Sequence, residues 1–156
     1  NGIVYQAPST ASLEYSDNWF GVTTDGEYVI SNTEGYNSTY NGTIQYGIGG
    51  GKLLIKGGEA QTVSGEDSYR TCVGITSDGD MILMCLEECS YDTAIFAFRE
   101  LEKELGVDIT TVLNMDGGGS TTMYSGNSRW PWDFDISGED GWTPRKVADA
   151  IAIVAK

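Results

Sequence analysis

The heptapeptide Gly21-Val22-Thr23-Thr24-Asp25-Gly26-Glu27 returns about fifty residues later as Gly74-Ile75-Thr76-Ser77-Asp78-Gly79-Asp80. Each copy leads into apolar residues, Tyr28-Val29-Ile30 in the first and Met81-Ile82-Leu83 in the second. Asp-Gly between β-prone runs is a strong hairpin signal, because glycine takes the positive φ that a tight turn between twisted strands demands. The pattern predicts two hairpins, near 18–30 and 69–86. The echo has two readings, a duplicated unit or one hairpin chemistry used twice. Two copies are too few for a solenoid.

The rest of the chain contributes more short strands and one strong helix. Residues 31–51, rich in Asn, Thr, Tyr and Gly, read as loop with a strand near Thr43–Tyr46, and Gly47 to Gly51 read as a turn. Lys52 to Lys56 reads as a strand stopped by Gly57-Gly58. A helix is predicted from about Tyr91 to Leu105, with Ser90 or Asp92 as its cap and Gly106 just past its end. Ala94, Phe98, Leu101 and Leu105 share one helical face. Arg99 lies off that stripe and reads as a solvated charge. Strands follow at 110–113 and 121–124, and the close at 146–154 admits strand or helix. One helix among about seven short strands predicts an α+β fold with a mainly antiparallel sheet. The length of 156 residues fits a single domain, 1–156.

Composition removes several kinds of chemistry. There is no histidine, which excludes Ser-His-Asp and Cys-His catalysis and any His-bound zinc. Catalysis must then rest on carboxylates, arginines, hydroxyls, backbone amides or an oxygen-bound metal. The formal net charge of −14 opposes nucleic-acid binding. No apolar stretch approaches the ~18 residues of a membrane span. Cys72, Cys85 and Cys89 make an odd number, against a complete disulfide framework. Cys72 and Cys85 lie in apolar runs and read as buried thiols, with a Cys85–Cys89 or Cys72–Cys89 bridge as the alternative.

The segment from Val112 to Met123 carries the chemistry. An apolar strand delivers Asn114 and Asp116, and Gly117, Gly118 and Gly119 then let a ligand approach the main chain. Their amides can form an anion-binding nest, and Ser120, Thr121 and Thr122 add hydroxyls. A capped tight turn is the plainer reading of the same residues.

The order of these pieces resembles the phosphodiester glycosidase family. The resemblance runs through Gly49 to Leu54, Arg70-Thr71-Cys72-Val73-Gly74-Ile75-Thr76-Ser77-Asp78-Gly79, the helix ending Glu104-Leu105-Gly106-Val107, then Leu113 to Met123, and finally Pro144-Arg145-Lys146-Val147-Ala148-Asp149. It covers residues from about 47 to 153, so the family's amino-terminal portion is expected to lie outside the chain and the chain to be part of a longer polypeptide. The resemblance implies hydrolysis of a sugar-1-phosphodiester at the sugar–phosphate bond, with a sugar phosphodiester or phosphorylated glycan as partner.

Under that resemblance Arg70 and Arg145 form a phosphate clamp, suited by the planar guanidinium fork. Ordinary salt bridges to acids are their structural alternative. Asp116 is the expected base, nucleophile or electrostatic stabiliser, and Asp133 and Glu87 are its candidate partner acids. Asn114, Gly117, Gly118, Gly119, Ser120, Thr121 and Trp130 complete the expected substrate-binding set, the tryptophan as a sugar-stacking surface. No cofactor is required, although Asp and Asn oxygens would suit Ca²⁺ or Mg²⁺. The setting implied is extracellular, cell-surface or virion-associated.

The chain departs from the family pattern in places. Glu87-Glu88-Cys89 stands where relatives carry Asp-Gly, and Arg129-Trp130-Pro131-Trp132-Asp133 differs from their Asn-Arg-Pro-Ser-Asp. A non-catalytic glycan- or phosphoglycan-binding module of a larger cell-surface or viral protein is the alternative function.

Overall fold

The computed structural model describes residues 18–123, 136–137 and 151–153. Two antiparallel sheets and one long helix dominate them. The three-stranded sheet has the order β2-β1-β3, formed by β1 (Asn18–Thr23), β2 (Tyr28–Asn32) and β3 (Ile44–Gly49). The five-stranded sheet has the order β5-β4-β8-β6-β7. Its strands are β4 (Leu53–Lys56), β5 (Glu59–Ala60), β6 (Ser68–Thr76), β7 (Met81–Cys89) and β8 (Ile109–Asn114). A further pair joins β9 (Thr122–Met123) to β10 (Ile136–Ser137). The α+β class with an antiparallel sheet and one main helix is thus what forms.

Both predicted hairpins are present, and they match bond for bond. In the first, Thr23 N donates to Glu27 O, Gly26 N to Thr23 O, and Glu27 N to Thr23 Oγ1. In the second, Thr76 N donates to Asp80 O, Gly79 N to Thr76 O, and Asp80 N to Thr76 Oγ1. The turn glycines take φ of 89° at Gly26 and 85° at Gly79, as the Asp-Gly signal requires.

The match continues past the hairpins. In each unit the first strand also pairs with a third strand that arrives after a helical insertion. Thr23↔Ile44 and Trp19↔Gly49 in one unit correspond to Thr76↔Ile109 and Cys72↔Asn114 in the other. A register shift falls at the same place in both, between Val22 and Thr23 and between Ile75 and Thr76. Recurrent turn chemistry would not reproduce a long-range register. The fold is therefore two copies of one β-β-helix-β unit.

The insertion of the first unit was expected to be loop. It is instead α1 (Thr33–Gly35), capped by Asn32 Oδ1 accepting from Gly35 N at 2.9 Å, followed by a π-helical turn at Tyr36–Tyr40. Trp19 explains the order there. Its ring makes edge contacts with Tyr36 and Tyr40 and its Nε1 donates to Asn32 O. β3 also runs on to Gly49, beyond the expected end at Tyr46, because its glycines still pair with β1.

The insertion of the second unit is α2 (Tyr91–Leu105). Ser90 caps it by accepting from Thr93 N, and Gly106 closes it. Its buried residues are Ala94, Ile95 and Phe98, while Leu105 is exposed. The buried stripe is thus rotated toward Ile95 and leaves Leu105, the last helical residue, outside it. Arg99 is not simply solvated. It pairs with Glu102 at 2.7 Å and donates to Gly58 O at 2.6 Å, tying α2 to the β4–β5 turn.

Side-chain alternation splits the core between the two faces of the five-stranded sheet. Leu54, Ile55, Cys72, Ile109 and Val112 pack under Ala94, Ile95 and Phe98 of α2. Val73, Leu113 and Met115 point the other way, onto Phe20, Val22 and Ile48 of the three-stranded sheet. Ile151 packs at the edge of that second cluster, and 151–153 is neither strand nor helix. No helix among the described residues is long and apolar enough to cross a membrane.

Cys72, Cys85 and Cys89 are all free thiols. Cys72 is fully buried, but Cys85 is half-buried, not core. The register explains the missing bridges. Cys85 and Cys89 are four residues apart on one strand, and Cys72 faces Met84. At ~3.3 Å per residue both pairs lie well beyond the ~7 Å Cα limit for a disulfide.

Candidate active site

The matching third strands end at Gly49 and Asn114, and the chain segments that leave them run together. Gly51 N donates to Asn114 O at 2.7 Å, and Asn114 N donates to Lys52 O at 2.9 Å. Asn18 Nδ2 donates to Gly51 O from the head of β1. Each segment also extends its own ladder by one bond, Gly50 N to Asn18 O and Met115 N to Thr71 O. The candidate loop 114–122 thus leaves the sheet at the seam between the two repeats.

The loop stays close to β6. Gly117 lies against Tyr69, so that a Cβ there would come within 2.6 Å of the Tyr69 carbonyl oxygen. Cys72↔Asn114, Thr71 with Met115, and Tyr69 with Gly117 bracket Arg70 and Asp116, so the two residues occupy facing positions of the backbone, with no ion pair between their side chains among the described residues. Asp116 is exposed, and its Oδ1 accepts from Gly117 N at 3.0 Å.

The three glycines play different parts from those expected. Gly117 is extended, with φ −130° and ψ −158°, and its need is room against Tyr69 rather than an unusual conformation. Gly118 alone of the three has positive φ, at 58°. Gly119 is buried in a 3₁₀ turn spanning Gly118–Ser120. That turn takes the Ser120 and Thr121 amides for its own carbonyls, at Gly117 O and Gly118 O.

Two expected ligand-binding side chains face inward instead. Thr121 is fully buried and its Oγ1 accepts from Thr71 Oγ1 at 3.1 Å, which anchors the loop to β6. Asn114 is 6% exposed, donates through Nδ2 to Met115 O, and accepts weakly from Cys72 Sγ. Both residues therefore set the loop's shape. Ser120 is half-buried at its outer turn.

Arg70 is 5% exposed. Its Nε donates to Cys89 O at 3.1 Å, its Nη2 donates to Glu66 O, and its guanidinium lies 3.9 Å from the centre of the Tyr91 ring. No carboxylate pairs with it among the described residues, so the salt-bridge alternative does not describe its setting. Lys52, which sequence reasoning passed over, reaches the same ring at 5.4 Å and donates to Ser64 O at 2.6 Å. Nothing in the local sequence marks it, because the tie between Lys52 and Tyr91 spans the whole sheet.

Glu87 lies within β7 rather than after it, and is exposed. The strand runs on to Cys89 because a bulge sets Glu87 and Glu88 opposite Tyr69, between the pairs Arg70↔Leu86 and Ser68↔Cys89. All of β6 separates Glu87 from the 114–122 loop. Arg145, Asp133 and Trp130 lie outside the described residues. No group of three or more acidic or thiol side chains is placed to hold a metal among the described residues.

The nearby thiols are poor nucleophiles. Burial pushes the Cys72 thiol up to about 12, with Cys89 adding to the effect and Arg70 opposing it. Burial also raises Cys85 and Cys89 above the ordinary thiol value.

This is a two-repeat α+β domain with a glycine-rich loop that bears one acid at the seam and a buried arginine on the strand it follows. The phosphodiester glycosidase family model matches residues 1–154, and the chain belongs to that family. The match takes in the stretch before residue 47 that the motif resemblance had not reached. Among solved structures, the chain is similar to the zebrafish N-acetylglucosamine-1-phosphodiester alpha-N-acetylglucosaminidase catalytic domain, described as auto-inhibited by its pro-peptide. The similarity has a TM-score of 0.59 at 20% identity, covering 83% of this chain and 49% of that one. The chain therefore spans about half the length of the structure it matches. No curated protein matches the sequence.

Proposed function

We propose that the chain hydrolyses a sugar-1-phosphodiester at the sugar–phosphate bond. The observation that supports this reading is the backbone path of the 114–117 segment along β6, which leaves Asp116 and Arg70 at facing positions by the seam of the repeats. Family membership supplies the reaction class. The N-acetylglucosamine named for the zebrafish enzyme is the first sugar to try.

In this reading Arg70 holds the phosphate, with Arg145 as the second guanidinium. Water adds to the anomeric carbon, the bond from that carbon to the phosphate oxygen breaks, and the phosphate monoester departs with the bonding electrons. That leaving group is a stable anion and needs little protonation. The greater demand lies at the anomeric carbon, where Asp116 takes the water proton or stabilises the oxocarbenium-like centre. Asp116 suits this because it is exposed and, among the described residues, is held only by the adjacent amide. The reading uses no metal and places the reaction on the extracellular side of a cell or on a virion.

The test is release of reducing sugar from a panel of sugar-1-phosphodiesters. Asp116→Ala should lower kcat by roughly 10³-fold or more, in the range lost when an essential acid–base group is removed. Its unfolding midpoint should stay within the small range of an exposed substitution. No turnover by the wild type on the panel would end the proposal.

A further inference from the structure

Two of the chain's nine basic residues lie against one aromatic ring, and neither pairs with an acid among the described residues. Lys52 Nζ lies 5.4 Å and the Arg70 guanidinium 3.9 Å from the centre of Tyr91. The chain has 23 acidic residues, and Glu66, Asp67 and Asp92 are near in sequence to parts of this cluster. None of them forms an ion pair with either cation among the described residues. Tyr91 is also the first residue of α2, whose N-terminal end adds partial positive charge. Two cations on one ring, the arginine buried and neither with a counter-charge among the described residues, favour an anion as the missing partner.

The cluster is built from three separate elements. Lys52 comes from the seam, where its carbonyl accepts the Asn114 amide. Arg70 comes from β6, and Tyr91 from α2. Gly65 fits against the ring edge, where a Cβ would fall within 2.6 Å of Tyr91 Cε2. Lys52 has three N–H donors and gives one to Ser64 O. Arg70 has five and gives one each to Cys89 O and Glu66 O, so its Nη1 has no partner among the described residues.

We infer that Lys52 is a second recognition cation for the phosphate group, acting with Arg70 over the Tyr91 ring. This rests on the phosphodiester reading of the site and deepens it. Lys52 then contributes charge rather than directional bonds. The buried, planar Arg70 fixes the anion's orientation, and the exposed, flexible Lys52 strengthens its capture.

The probe is inorganic phosphate, titrated calorimetrically into the full chain at several salt concentrations. The proteins are wild type, Lys52→Met, Lys52→Arg and Arg70→Lys, each with its urea midpoint measured. Lys52→Met should weaken phosphate binding roughly fivefold to tenfold, a charged hydrogen bond discounted for exposure. Its binding should also depend less steeply on salt, and Lys52→Arg should bind within about twofold of wild type. Equal loss in Lys52→Met and Lys52→Arg would mean that Lys52 only holds the Ser64 segment, and would overturn the inference. If Arg70→Lys weakens binding and Lys52→Met does not, this inference alone falls. If the wild type takes up no phosphate, the site reading falls with it.

Discussion

Gly117→Ala isolates a purely steric demand of the reactive loop. The backbone at Gly117, φ −130° and ψ −158°, is one that alanine adopts freely. The obstacle is a new Cβ within 2.6 Å of Tyr69 O, a backbone atom in the ladder of β6. Ordinary contact begins near 3.4 Å, so the loop must retreat from β6 by about 0.8 Å. That retreat strains the neighbouring Thr71–Thr121 hydroxyl bond and the Met115–Thr71 backbone bond. Overpacking of this kind costs about 1–3 kcal/mol. For a chain of this size that is a fall in Tm of roughly 2–4 °C per kcal/mol. Urea unfolding followed by far-UV circular dichroism gives the stability change, and diester hydrolysis gives the functional one. A displacement near 1 Å at reacting groups costs about a hundredfold in rate. The reasoning is refuted if Gly117→Ala unfolds at the wild-type urea midpoint.

Two further outcomes test other parts of the structure. Ser90→Ala removes the acceptor for Thr93 N at the head of α2 and should cost about 1 kcal/mol, seen as a lower Tm by calorimetry. Cys72, pushed up to about 12 by burial from an ordinary 9.0, should resist thiol reagents until the protein unfolds. With its folded value above the unfolded one, the unfolded chain releases its proton first as pH rises past 9. Stability should therefore be full below pH 9 and decline from there toward 12, and a urea midpoint that holds steady over that interval would contradict the burial.

What the sequence disclosed follows the range of the interaction. The hairpin turns, α2 with Ser90 and Gly106, and the strand before Asp116 all rest on neighbours within a few residues, and each could be read directly. The π-helical turn at Tyr36–Tyr40 depends on Trp19 packing from β1, so its local composition reads as loop. Thr121 shows a hydroxyl that a motif presents as a ligand, and only the pairing with Thr71 reveals it as an anchor. Arg70 was legible as a special cation, but not the carbonyls and ring that hold it. Lys52 gave no sign at all, since its relation to Tyr91 exists only once β4, β8 and β6 lie side by side. The same limit applied to the repeat. The Asp-Gly echo is local and visible, whereas the equal registers of β3 and β8 are not.

The repeated unit gives this domain two equivalent exits from its sheets, and the chain uses them unequally. One exit, Gly49 to Lys52, is a slim backbone brace that lets its counterpart lie close. The other carries an acid and a turn able to face solvent. Because both arms belong to one chain, a substitution in the loop that bears Asp116 changes that arm alone, whereas in a symmetric dimer of one such unit it would alter the brace as well.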